Sequence, residues 1–432
     1  MQRTMRSAEY HGPTAASRSN FVARLMLVCL LALVLSSLLV RFSLALSSSS
    51  ISDAIHGDDL AYQTNPLTWI REVSYFTLFL FSCFLLLNRK KGILVLLFAF
   101  GLVAICFLKM IAEGGSLVKI PYGIRVFIII LTYPAIVYLA RNGSADRLIK
   151  LLKLYMILIG PVAIYQALTF PEFWGRTAFG TRANGTYTNP IIFSMVIGSF
   201  ACLFLVAGGK NCRKWIVYCL VIALLTGGRS GMLACLLALI STFSPRQFKN
   251  KYMISVLFLA LVPVIFWLVS AQAVSGRELA QQSGLEDARF GVWSAYIQQF
   301  QNLSDIVFGI GIGEGTNAGL SYADQNQGSF TDNTFLMLMS SFGLLGAIAF
   351  FTWIVLLARR VEFRGYVVLA VFMLYFISQS MPEMHPAYII MTLAIALSIE
   401  KSREIPGRQP AVSRVAEKMD PNQPDRPSFK TR

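Results

Sequence analysis

The sequence predicts an all-α polytopic membrane protein with about twelve transmembrane helices and one large outer loop. Of its 432 residues 55% are hydrophobic and only 14% charged, and the mean hydropathy is +0.60, a composition suited to lipid. Apolar runs of about 15 to 25 residues alternate with short loops rich in Lys, Arg, Gly and Pro, the pattern helices need where lipid offers the backbone no hydrogen bonds. A transmembrane barrel would instead alternate apolar and polar residues over segments of about ten.

Arg3, Arg6, Arg18 and Arg24 precede LMLVCLLALVLSSLLV, and no small-residue cleavage site follows, so this stretch reads as a first helix rather than a signal peptide. Helices are expected at 22–46, 68–88, 92–111, 121–140, 148–169, 190–208, 214–227, 229–244, 252–272, 333–357, 365–381 and 386–400. The segments NRKKG, RNGSADRLIK, GKNCRK, SPRQFKNK and ARRVEFRG and the tail from Lys401 hold most of the 38 Lys and Arg residues, which puts them and both termini on the cytoplasmic side. The net charge of +16 is then a topology signal and an attraction to anionic membrane lipids, with no nucleic acid implied. Three parts are expected: a cytoplasmic tail at 1–21, a membrane domain at 22–400, and a basic tail at 401–432 that lacks apolar period and reads as disordered. Cys29, Cys83, Cys106, Cys202, Cys219 and Cys235 fall in predicted helices and Cys212 in an inner loop, so neither disulfide nor structural metal is expected.

Within LLTGGRSGMLA, residues 224–234, Arg229 interrupts a long apolar run, a position that costs at least about 2.5 kcal/mol at a bilayer centre. Basic clusters flank the run on both sides, so two short helices return the chain to the inner face. Each has about 14 residues and spans about 21 Å, short of a bilayer core. The tip TGGRSG then lies below the outer surface, with Gly227, Gly228 and Gly231 allowing a tight backbone and Arg229 facing a cavity between helices. The competing reading is an arginine that snorkels or pairs with a carboxylate.

The outer loops differ in content. The first, 47–67, carries Asp53, Asp58 and Asp59 and reads as a solvated linker. PEFWGRTAFGTRANGTYTNP, residues 171–190, sets Arg176 and Arg182 among Trp174, Phe179 and Tyr187, which suits either an anionic head group beside a sugar or an interfacial aromatic belt. The large loop, about 273–332, contains a capping-box pattern at Ser283 and Glu286, and then an amphipathic helix with Phe290, Trp293, Ile297 and Phe300 on one face and Arg289 one turn before Trp293. FGIGIGEGTNAG does not have the spacing of a nucleotide loop, and reads as a flexible glycine-rich segment carrying Glu314. GSFTDNTFLMLMSSFGLLG places Thr331, Asp332 and Asn333 at the mouth of a helix, where Asp332 is either a helix cap or a reactive carboxylate. Lys109, Lys119 and Arg125 either steer an anionic substrate or anchor their helices. His385 in PEMHPAY is either a site residue or structural.

The order of RANGTYTNP, TGGRSGML in a short hairpin, RFGVWSAYIQQF, FGIGIGEG and TDNTFLMLMSSFGLLG resembles the bacterial O-antigen polymerase and O-antigen ligase superfamily, in motif detail over roughly residues 180 to 350 and in topology over the whole chain. The resemblance implies a metal-independent, cofactor-free, inverting glycosyltransferase of GT-C type, working at the periplasmic face of the bacterial inner membrane on polyprenyl-diphosphate-linked glycans. A chain-length co-polymerase and a flippase are the candidate protein partners. Ligases of the superfamily often have a histidine where this chain has Asp332, which turns the expectation toward a polymerase of O-antigen or exopolysaccharide.

A lipid diphosphate leaving group gains negative charge as the glycosidic bond breaks, and planar, permanently charged guanidinium groups can neutralise it in place of a metal. The residues expected to act are Asp332, Glu314 and Arg289 in catalysis, with Arg182, Arg229, Arg176, Asn333 and Trp293 binding diphosphate and glycan; Arg277 is a further arginine of the large loop. Asp332 is the first candidate for orienting or deprotonating the acceptor, Glu314 the second and His385 the third. The rival class is a twelve-helix transporter or lipid-linked sugar flippase that binds the same anion without chemistry. No internal repeat is visible to support it.

Overall fold

The computed structural model describes residues 15–47, 65–113, 119–142, 145–169, 190–243, 297–316, 333–378 and 381–404. Among them there is no strand, and the helices are α1 (Ala15–Ser47), α2 (Pro66–Leu87), α3 (Lys90–Ala112), α4 (Ile120–Leu131), α5 (Tyr133–Arg141), α6 (Ala145–Thr169), α7 (Pro190–Ala207), α8 (Cys212–Thr226), α9 (Arg229–Phe243), α10 (Leu303–Phe308), α11 (Thr334–Ala358), α12 (Phe363–Ser378) and α13 (His385–Glu404). Among the described residues six stretches are long and apolar enough to cross a membrane, and three shorter apolar helices accompany them. Over these residues the chain is all-helical, as a polytopic membrane protein is. The span expected at 252–272 and the amphipathic helix expected after Glu286 lie outside the described residues, apart from a helical turn at 297–299.

One expected helix, 121–140, is in fact two. Pro134 lacks an N–H and cannot continue a helix through this point, so α4 ends at Leu131 and α5 starts at Tyr133. The first donor beyond the break, Ala135 N, is satisfied by Thr132 O at 3.1 Å and by Ser82 Oγ of α2 at 3.1 Å.

The centre of the bundle is α7. Its sequence, PIIFSMVIGSFACLFLVA, has no polar face, and a helix apolar all round must be buried all round. Every residue from Phe193 to Val206 is buried, with α8, α9, α12 and α13 packed around it. The outward faces of α3 and α6 keep Leu94, Leu97, Leu158 and Leu168 exposed, as lipid-facing surface requires. At the basic end, Lys401 donates to Val206 O and Arg364 to Leu205 O, so cations meet the C-terminal carbonyls of α7. Arg141 pairs with Glu400 nearby at 2.8 Å.

Candidate functional site

The opposite end of the bundle gathers the starts of α2, α4, α7, α9, α11 and α13, and here three arrangements hold the polar residues. The first is the hairpin α8–α9. Gly227 adopts φ 62° at the end of α8, a left-handed conformation that glycine takes without penalty. Thr226 Oγ1 accepts from Gly228 N at 3.1 Å, and Ser194 of α7 donates its hydroxyl to Gly228 O at 2.7 Å. A Cβ on Gly228 would stand 2.3 Å from Ser194 Cβ, and one on Gly231 2.1 Å from Ser194 O. Two of the three glycines therefore serve to seat the hairpin on α7, a packing reason beyond turn geometry. Arg229 opens α9 and is exposed.

The second arrangement is the glycine-rich segment, expected to be flexible and found packed. Asn302 and Asp305 form a capping box on α10, with Asn302 N donating to Asp305 Oδ2 at 3.0 Å. Beyond Gly309, Ile310 N and Gly311 N both donate to Ser340 O of α11, at 2.8 and 3.2 Å. There α11 is broken at Gly343, where φ is 65° and ψ −167°. The segment fills this break: a Cβ on Gly343 would lie 2.3 Å from Val307 O. Ser341 donates to Glu314 O at 2.7 Å, and Gly313 packs so closely on Lys119 that a Cβ would meet its carbonyl oxygen at 2.0 Å. Lys109 reaches Asp305 at 2.8 Å, Gly309 O at 2.7 Å and Glu113 at 3.0 Å. Lys119 pairs with Glu314 at 2.6 Å, and the Cys106 thiol donates to Phe308 O at 3.1 Å. Burial acts to raise the Asp305 carboxyl, but hydrogen bonds from Lys109 and the Asn302 backbone outweigh it and hold the group below its ordinary range.

The third arrangement joins α2, α4 and α13. Glu72 Oε1 accepts from Arg71 Nε at 3.0 Å, Arg71 Nη2 at 2.6 Å and Arg125 Nη2 at 2.6 Å. Arg125 Nη2 also lies 2.7 Å from His385 Nε2, whose Nδ1 is 3.1 Å from the Tyr75 hydroxyl. A guanidinium has no acceptor, so Nε2 must accept, and His385 is the neutral tautomer with its proton on Nδ1, donated to Tyr75. Arg71 is only 1% exposed.

Of the residues expected to act, the structure describes Glu314, engaged by Lys119; Arg229, at the hairpin tip; and Asn333, which caps α11 by accepting from Phe335 N and Leu336 N at 2.8 and 3.2 Å. Asp332, Arg289, Arg182, Arg176 and Trp293 lie outside the described residues, as does Arg277. Arg71, Glu72 and Asp305 were not anticipated. The signal for the first two was available: TWIREVSYF puts an arginine and a glutamate in the first turns of an apolar helix, the same anomaly that drew attention to Arg229. Asp305 gave only a weak signal, an Asn followed three residues later by Asp before a short apolar run.

Together these features define a polytopic membrane protein whose polar chemistry is concentrated at one end of the bundle. Residues 215–351 match the family model described as O-antigen ligase. The matched stretch runs from α8 through the hairpin and the docked glycine-rich segment to α11, and it supports the polymerase and ligase superfamily seen in the motifs. Similarity to such ligases suggests a glycosyl-transferring enzyme. No curated protein matches the chain.

Proposed function

We propose that this protein lengthens polyprenyl-diphosphate-linked glycans by transferring them onto further lipid-linked repeat units, at the periplasmic face of the inner membrane and with a GT-C-type, metal-independent mechanism. The observation that supports it is where the family match falls: it covers Arg229 at the hairpin tip, the segment docked in the broken helix, and the mouth of α11. The diphosphate is held by Arg229 with Arg182 and Arg289, and Arg176 and Trp293 bind glycan. A hydroxyl of the acceptor unit attacks the anomeric carbon of the donor. The new C–O bond forms as the bond to the diphosphate breaks, and the electron pair leaves with polyprenyl diphosphate, whose charge the arginines stabilise. Asp332 orients the hydroxyl and takes its proton. It is preferred to Glu314, which Lys119 engages at 2.6 Å, and capping does not account for it because Asn333 fills that position. Membrane lipids, a flippase that delivers the repeat unit and a chain-length co-polymerase complete the expected partners.

The description of the matched family favours a second reading, transfer of the finished glycan to a different acceptor such as a lipid A core. The two readings separate when labelled lipid-linked repeat units are supplied with and without that acceptor. A polymerase yields a ladder on the polyprenyl carrier in both cases. A ligase yields label on the lipid A core and no ladder without it, an outcome that would replace the polymerase reading.

A further inference from the structure

Lys109, Lys119 and Arg125 take different roles in the structure. Lys109 is engaged by Asp305, Glu113 and Gly309 O, and Lys119 by Glu314, so both hold the docked segment. Arg125 is held differently. Its Nη2 meets Glu72 and His385, while its Nε is buried without a hydrogen-bond partner. Buried donors are almost always satisfied, so one that is not marks a place where an acceptor is missing. The side chain as a whole nevertheless keeps 26% of its surface exposed. Its orientation is fixed on two sides, by Glu72, which Arg71 grips in turn, and by a histidine that must be neutral to accept from it. The neutral histidine adds no charge, and the single Glu72 carboxylate, shared by Arg71 and Arg125, neutralises only one of the two guanidinium charges.

The group is also well placed. Met381 N donates to Thr334 Oγ1 at 2.8 Å, two residues beyond Asp332, and His385 begins α13 four residues after Met381. The 381–383 turn packs against α4, which carries Arg125. We propose that Arg125, oriented by Glu72 and His385, is a further binding residue for the diphosphate of the lipid-linked glycan. The proposal rests on the glycosyl-transfer reading above. A phosphoryl oxygen is an anionic acceptor of the kind a guanidinium binds, in the planar geometry that arginine and phosphate share.

The test is calorimetric titration of the purified protein in detergent with farnesyl diphosphate. Wild type is compared with Arg125→Gln, Arg125→Lys and Lys153→Gln, the last removing a cation that stacks on Trp215 at the other end of the bundle. Wild type and Lys153→Gln bind alike, Arg125→Gln binds roughly tenfold or more weakly, and Arg125→Lys falls between because it keeps charge and loses the fork. Thermal unfolding without ligand reports folding, and Arg125→Lys decides the matter should Arg125→Gln not fold. Wild-type affinity in the Arg125 variants overturns the proposal, as does failure of wild type to bind farnesyl diphosphate. Chain lengthening is followed in the same preparations. A wild-type ladder with unchanged binding in Arg125→Gln defeats this proposal and leaves the functional reading standing. Arg125-dependent binding with no ladder keeps the anion site and defeats the reading.

Discussion

At Gly343 two physical effects oppose any side chain: the backbone stands at φ 65°, and an added Cβ would approach Val307 O to 2.3 Å. Gly343→Ala is expected to lower the melting temperature of detergent-purified protein, with a loss on the order of 1–3 kcal/mol. An unchanged melting temperature would show that the segment does not sit in the break. The glycine itself was visible in SSFGLLG, but its role was not, because only the approach of Val307 and Gly309 from about 35 residues away gives it one. Arg71 and Arg229 make a similar contrast. Both are arginines within apolar helices; the one the sequence emphasised is exposed at a tip, and the one it passed over is buried beside Glu72 and Arg125. Local sequence shows that an arginine is out of place; which carboxylate it meets is decided by tertiary packing.

Among the elements, the docked segment 303–316 is the one whose character the sequence concealed. Its glycines suggested looseness, yet Gly309 and Gly313 pack tightly against Ser340 and Lys119, and the lysines that clamp it come from α3 and from the start of α4, some 200 residues earlier. Replacing both lysines, Lys109→Met with Lys119→Met, should expose the segment. Hydrogen exchange over 303–316 is expected to accelerate by at least about tenfold while α7 stays protected; unchanged exchange would mean that the ion pairs do not hold it. The clamp also has a pH dependence of definite sign. The Asp305 carboxyl is held below its ordinary value of 3.8 in the folded protein. Its contribution is therefore fully present above that value and is lost as pH falls through the lower, folded one. Exchange of the segment should rise on acidification below about pH 4, and Asp305→Asn should remove that rise while loosening the segment at neutral pH. By contrast, most of the other helices were legible, because long apolar runs bounded by basic loops carry their own limits. The expected span at 121–140 matches one membrane-crossing stretch, Ile120–Arg141, but the break at Pro134 within it was not anticipated.

Over the whole molecule, one end of the bundle is basic and holds the helix ends together, while the other carries a docked segment, a hairpin tip and a charged network joining three helices. The basic end was readable from the distribution of Lys and Arg alone. The network as a whole was not, because Arg125 and His385 join the Arg71, Glu72 and Tyr75 group of α2 from 53 and 310 residues away. Glycosyl transfer at this end is the proposed function. Its most direct test uses purified protein with polyprenyl-diphosphate-linked repeat units, in excess EDTA and without nucleotide, with products separated by glycan length. Wild type is expected to give a ladder, and Arg229→Ala and Asp332→Ala to reduce it by at least about a hundredfold. No ladder from wild type, with the intact lipid-linked glycan moved across reconstituted vesicle membranes instead, would contradict the account and make the protein a transporter.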